Sequence, residues 1–179
     1  MTQMDFQVLS EKAHANAVAH GFWETPNSAE HCLMLVVTEI SEMVEADRRN
    51  KHANRSLYEL AQSENLADAF KLHIKDTVED EMADTVIRLA DLAGHLQINF
   101  AKLNPCRYYR VFSRFTFSEN AFALVKGLTR GNIAIEKRIQ FALDYVDALA
   151  RTLCIPIEWH IWEKMKYNES RPAKHGKAY

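Results

Sequence analysis

The stretch that most restricts this chain is "EMADTVIRLADLAGH", residues 81–95. Its ionisable residues Glu81, Asp84, Arg88, Asp91 and His95 recur at alternating spacings of three and four. At about 100° per residue these five share a sector of roughly 80° on a helix. Met82, Val86, Ile87, Leu89, Ala90, Ala93 and Leu96 fill most of the remaining circumference. A helix that is apolar nearly all round must be enclosed by other elements, and its one charged line must face something polar.

The rest of the sequence agrees with a helical enclosure. Apolar residues return near every third or fourth position, alternating β-branched runs are scarce, and there are only five glycines and four prolines. The fold expected is all-α. A first helix is expected over about residues 4–20, with Phe6, Leu9, Ala13 and Ala17 on one face and Gly21 at its end. Ser28 reads as the N-cap of a second helix to about Arg49, with Glu30 suiting its dipole. Weaker helical character follows in "SLYELAQSENLADAF", then a third helix over about 76–100, ended by Asn104-Pro105. Residues 105–116, "PCRYYRVFSRFT", read as a loop or arm. Helices near 118–129 and 132–153 are separated at Gly131, and a last one has Pro156 at position N1.

A chain of 179 residues is long enough for one core, so a single domain over 1–179 is expected. Its net charge of −2 offers no general attraction to nucleic acid or anionic membrane. Cys32, Cys106 and Cys154 are odd in number and form no zinc spacing, which favours free thiols. No segment approaches the roughly 20 apolar residues of a membrane span, and the start does not read as a signal peptide. A cytoplasmic protein is expected.

The second helix carries a matching acidic feature. In "TEISEMVEADRR", Glu39 and Glu42 stand one turn apart beside an apolar face that includes Leu33, Val36, Ile40 and Met43. Two helices thus offer one carboxylate pair each at i, i+3. Four carboxylates brought together resist ionisation unless a cation neutralises them, so their convergence points to a hard divalent metal. Magnesium suits oxygen ligands and substrate phosphates, with manganese as a substitute. The competing reading is that these acids are solvated and pair with nearby Arg or Lys. A di-iron bundle would need two Glu-x-x-His motifs, which the chain lacks; Asp91 and His95 at i, i+4 read instead as a structural pair.

The ordered elements "EISE" at 39–42 and "EMAD" at 81–84 resemble the E-x-x-E … E-x-x-D signature of the MazG-like all-α nucleoside triphosphate pyrophosphohydrolases. The flanks "GFWETPNSAEHCLMLVVTEISEMVEADRR" and "VEDEMADTVIRLADLAG" look like that family's acidic helices, and "KMKYNESRPAKHGK" is similar to the tail of a phage and bacterial branch. The resemblance covers roughly 1–100 and 155–179; residues 105–154 look like an inserted helical segment. It implies a helical bundle of the dimeric all-α type, assembled as a homodimer or homotetramer. The implied reaction is Mg2+-dependent cleavage of a nucleoside triphosphate to monophosphate and pyrophosphate, which cleanses the nucleotide pool. Glu39, Glu42, Glu81 and Asp84 would be the metal ligands, and Glu39 or Glu42 would position or deprotonate the attacking water.

Cations must also meet the triphosphate. Arg88, Lys164, Asn168 and Arg171 are the candidates, with His175 and Lys177 behind them. Trp23, after Phe22, offers a stacking surface for a base, whereas Trp159 and Trp162 read as packing. Two other functions compete with the enzyme. One is a non-catalytic helical module for nucleotide sensing or protein interaction, which has no physical need to keep converging carboxylates. The other is nucleic-acid binding through Arg107, Tyr108, Tyr109, Arg110 and Arg114, which the slightly acidic chain disfavours.

Overall fold

The computed structural model describes residues 4–105 and 114–173. Among them there is no strand. Eight α-helices form: α1 Phe6–Ala19, α2 Ala29–Arg48, α3 Arg55–Ala61, α4 Leu66–His73, α5 Val78–His95, α6 Phe117–Leu128, α7 Ile135–Thr152 and α8 Ile157–Glu169. A short 3-10 turn at Phe100–Lys102 follows α5. No helix among the described residues is long and apolar enough to cross a membrane.

Helix α5 is the centre of the molecule. It packs most extensively against α1 and α2, then against α8 and α7. Met82, Ala83, Leu89, Leu92 and Ala93 are all buried to within one per cent exposure, which accounts for its apolar circumference. One core joins these residues to Leu9 of α1, Val36 and Met43 of α2, and Ile161 of α8. Leu124 and Leu128 of α6 and Ile139, Leu143 and Val146 of α7 belong to the same core. The helices formed by the segment read as an insertion therefore share the interior of the bundle. A smaller aromatic cluster lies beside it, where Tyr58 of α3 and Phe70 of α4 meet Tyr167 and Trp159 of α8.

Local chemistry sets the helix ends. Ser28 caps α2 by accepting from the backbone N–H of His31, and Thr116 forms a reciprocal capping box with Glu119 at the start of α6. Asn54 and Asn65 each cap one of the two helices into which the weakly helical stretch divides. Two expected boundaries shift. Helix α5 begins after Thr77, its N-cap, because Asp76 adopts a left-handed φ of 58°. It ends at His95 and not near Phe100, because Gln97 turns left-handed at φ 53°. There the Ile98 N–H reaches back to the Ala93 carbonyl, and Ile98 folds its side chain onto the core. Pro156 precedes α8 as its N-cap residue, one position earlier than expected.

Candidate metal and phosphate site

Helices α2 and α5 bring three of the four expected metal ligands together. Carboxylate oxygens of Glu39, Glu81 and Asp84 all lie within 4.8 Å of one another. Glu39 and Glu81 are buried at 4% exposure each. Glu42, one turn further along α2, is exposed and stands outside this group, although its charge helps to raise the Glu39 pKa. The convergence follows from the i, i+3 spacing of Glu81 and Asp84 on the face that α5 turns towards α2.

The site contains an acid absent from the expected set. Asp80 is 1% exposed, accepts from the Asp76 backbone N–H at 2.9 Å, and receives Lys164 Nζ at 2.8 Å. Lys164 Nζ also meets Asp84 at 2.7 Å. Lys164 is therefore an interior counter-ion, 4% exposed, held between two carboxylates of α5. Its expected place at a phosphate gives way to this pairing. Asp80 and Asp84 are spaced i, i+4, which was the available sequence signal; their partner lies 80 residues away from Asp84 on α8.

The electrostatics show how crowded this interior is. Burial, reinforced by the charges of Asp84 and Asp80, pushes the Glu81 carboxyl up to about 9. Burial also raises Asp80 to about 6 against the pull of Lys164. Glu39 is raised by burial and by Asp84, with Arg88 opposing. Burial by itself would lower the Lys164 pKa, but Asp84 and Asp80 outweigh it and keep the ammonium charged. In this group of carboxylates one atom is left over: Glu81 Oε2 is buried and has no hydrogen-bond partner among the described residues. A buried carboxylate oxygen without a donor costs free energy. The residues present thus fit a hard cation: three converging carboxylates, one of them with an orphaned oxygen.

A second group, Asp76, Asp80 and Glu81, shares Glu81 with the first. Its two other members already have cations, since Lys51 and Lys75 pair with Asp76 and Lys164 with Asp80.

From Asp84 the site opens into a pocket between α1, α2, α5 and the end of α8. Arg88, Asn168 and Arg171 line it, as do Phe22 and Trp23 from the α1–α2 turn. Arg88 Nε is bonded to Glu39 Oε1, and Arg171 donates to Asn168 Oδ1 at 3.5 Å. Asp84 and the guanidinium of Arg88, which is held by Glu39, thus share this pocket with the Trp23 indole. At the indole, Asp91 Oδ1 accepts from Trp23 Nε1 at 2.9 Å and meets His14 Nδ1 at 2.8 Å. The partner of Asp91 is thus His14 of α1, and His95 instead stacks on the Trp23 ring at 3.8 Å. This replaces the i, i+4 pair expected within α5.

His14 was not singled out in the sequence, and its distance of 77 residues from Asp91 carries no signal. Gly94 makes the contact possible: a Cβ there would lie 2.6 Å from the Ser10 carbonyl oxygen and from His14 Cβ. Trp159 packs against Tyr58, with Arg55 over its ring at 4.3 Å. Trp162 packs against the main core. His175, Lys177 and the Arg107–Arg110 part of the aromatic arm lie outside the described residues, whereas Arg114 is exposed.

Compared with known proteins, the chain matches no family model, no curated protein and no solved structure.

Proposed function

We propose that this chain is a magnesium-dependent nucleoside triphosphate pyrophosphohydrolase of MazG-like type. The observation that carries the reading is the group of Glu39, Glu81 and Asp84, with its buried unpartnered Glu81 oxygen, whose member Asp84 lines a pocket that Trp23 also lines. Glu39, Glu81 and Asp84 hold the cation, and Glu42 is one helical turn away on α2. Magnesium, or manganese in its place, supplies charge neutralisation for the phosphates and activation of water.

The protein's own groups do the rest. Glu39 is raised in pKa and bonded to Arg88, so displacement of that guanidinium by substrate frees a carboxylate to orient or deprotonate a water. Arg88 then meets the phosphates, together with Arg171 and Asn168 at the end of α8. Lys164 fixes Asp84 in place and keeps positive charge beside it. Trp23 supplies the surface for the base. The products are a nucleoside monophosphate and pyrophosphate, and the assembly is a homodimer or homotetramer.

The test is a panel of canonical and modified ribo- and deoxyribonucleoside triphosphates, with magnesium or with chelator, assayed for pyrophosphate and for inorganic phosphate. Magnesium-dependent pyrophosphate release is expected, with Glu81→Gln lowering kcat at least 100-fold. Absence of cleavage, unchanged cleavage by Glu81→Gln, or release of inorganic phosphate alone overturns the reading. Sedimentation of the full chain checks the assembly.

A further inference from the structure

The aromatic part of the pocket wall contains an acid that neither the metal group nor the phosphate cations use. Asp91 sits on the α5 face two turns beyond Asp84, within the wall of the same pocket. Its Oδ1 is saturated by two donors, Trp23 Nε1 and His14 Nδ1. A carboxylate only accepts, so His14 presents a protonated Nδ1. Both donors meet the same oxygen, which fixes the carboxylate plane and leaves Oδ2 as an acceptor with no hydrogen-bond partner among the described residues.

Trp23 is fixed as well, by the hydrogen bond at its Nε1 and by His95 stacked on one face at 3.8 Å and 13°. Its other side borders the pocket. Another polar group of the wall, Asn27, spends its amide N–H on the Phe22 carbonyl at 3.0 Å, so its Oδ1 is also left to accept. A flat ring against the indole thus meets an acceptor at Asp91, which lies at the indole N–H, in a pocket that Asn27 also lines. The guanidinium groups line the same pocket.

We propose that Asp91 is a specificity-determining residue that selects nucleotides whose base carries an exocyclic amine, namely cytosine, adenine or guanine, over the keto bases uracil, thymine and hypoxanthine. An amine donates to Oδ2, whereas a ring carbonyl at the same place sets one acceptor against another and leaves the carboxylate desolvated without a donor. The inference rests on the triphosphate reading for the position of the phosphates, but recognition of the base does not require cleavage. A site built to bond an N–H rejects the analogue lacking it far more strongly than an apolar pocket rejects a methylene.

The experiment has a binding arm and a kinetic arm, both with the full chain. Calorimetry measures dCMP, dAMP, dUMP, dTMP and N4,N4-dimethyl-dCMP without metal; the kinetic arm compares kcat/KM for dCTP and dUTP with magnesium. Expected are at least 10-fold weaker binding of the keto and dimethylated ligands and a dCTP preference of similar size or larger. Asp91→Asn, whose amide can donate to a carbonyl, should reduce that ratio at least 10-fold without changing magnesium affinity. The dimethylated ligand asks the same question of an unaltered protein, so a variant that fails to fold does not decide the matter.

Equal binding of dCMP and dUMP, or an unchanged ratio in a folded Asp91→Asn, overturns the inference. Triphosphate cleavage without base discrimination overturns it while leaving the proposed function intact. Amine-selective binding with no pyrophosphate release does the reverse, and failure of both arms removes both.

Discussion

At the residue scale, Glu81 holds the conflict that gives the site its chemistry. It is buried next to Asp80 and Asp84, its pKa is pushed up to about 9, and one of its oxygens has no donor. A group in this state is costly to the fold and useful to a cation. In chelator at pH 8, Glu81→Gln should stabilise the protein by about 1–2 kcal/mol, because native Glu81 must keep a proton that the unfolded chain releases, whereas Gln is neutral in both states. That corresponds to a rise in Tm of roughly 2–8 °C for a domain of this size. The same substitution should abolish stabilisation by magnesium. A lower Tm for the variant in chelator would mean that Glu81 is structurally satisfied and the conflict absent. Lys164 should behave in the opposite way. Lys164→Met leaves Asp80 and Asp84 without their buried partner and should cost about 3–5 kcal/mol in urea unfolding. A loss below about 1 kcal/mol would show the pair to be no stronger than a surface ion pair.

At the scale of elements, the all-α class and most helix ends were legible, because periodicity and capping act over a few residues, whereas the division of the weak stretch into α3 and α4 was not. Ser28 is an example: its hydroxyl, three residues before a helical N–H, is a local signal. The end of α5 was less legible, because Ile98 and Phe100 prolong the apolar pattern while the chain has already turned at Gln97. Gln97→Gly should stabilise by about 0.5–1 kcal/mol, since glycine adopts that φ without steric cost and makes the same backbone bonds. No gain in the urea midpoint would count against the left-handed turn. Contacts between elements were hidden. The sequence displayed Asp91 but not His14, and Asp84 but not the Asp80–Lys164 pair, because no local pattern states which distant helix supplies a counter-charge. Gly94 is where that packing concentrates. Gly94→Ala presses a methyl against the Ser10 carbonyl and His14, and should cost about 1–3 kcal/mol as α1 withdraws from α5. With α1 displaced, the His14–Asp91 bond should loosen as well, visible as a displacement of the His14 ring resonances in NMR spectra.

At the scale of the whole molecule, the buried acids couple global stability to pH and to metal. Glu81 and Asp80 both have folded pKa values raised above their ordinary values of 4.5 and 3.8, to about 9 and about 6. Between these limits the native state keeps protons that the unfolded chain has released, so their contribution to stability is full at low pH and is lost as pH rises through the folded values. His160 acts on the acid side. Burial depresses its pKa from 6.5 to about 4, so the unfolded chain binds the proton first, and stability is lost as pH falls through that interval. In chelator these three groups together should leave the metal-free protein most stable near pH 4 to 5, with Tm falling from there towards pH 9 mainly through Glu81. Magnesium binds the deprotonated carboxylates of the native state and competes with the Glu81 proton. Its stabilisation should grow with pH, following ligand linkage as RT ln(1 + [L]/Kd) with a Kd that tightens as the proton is lost. Melting curves from pH 5 to 9, with chelator and with magnesium, should thus diverge on the alkaline side and converge near pH 5. Glu81→Gln should flatten the alkaline fall in chelator. Parallel curves across the whole range would show that no proton is displaced at the acidic group, and that the cation, if it binds, binds elsewhere.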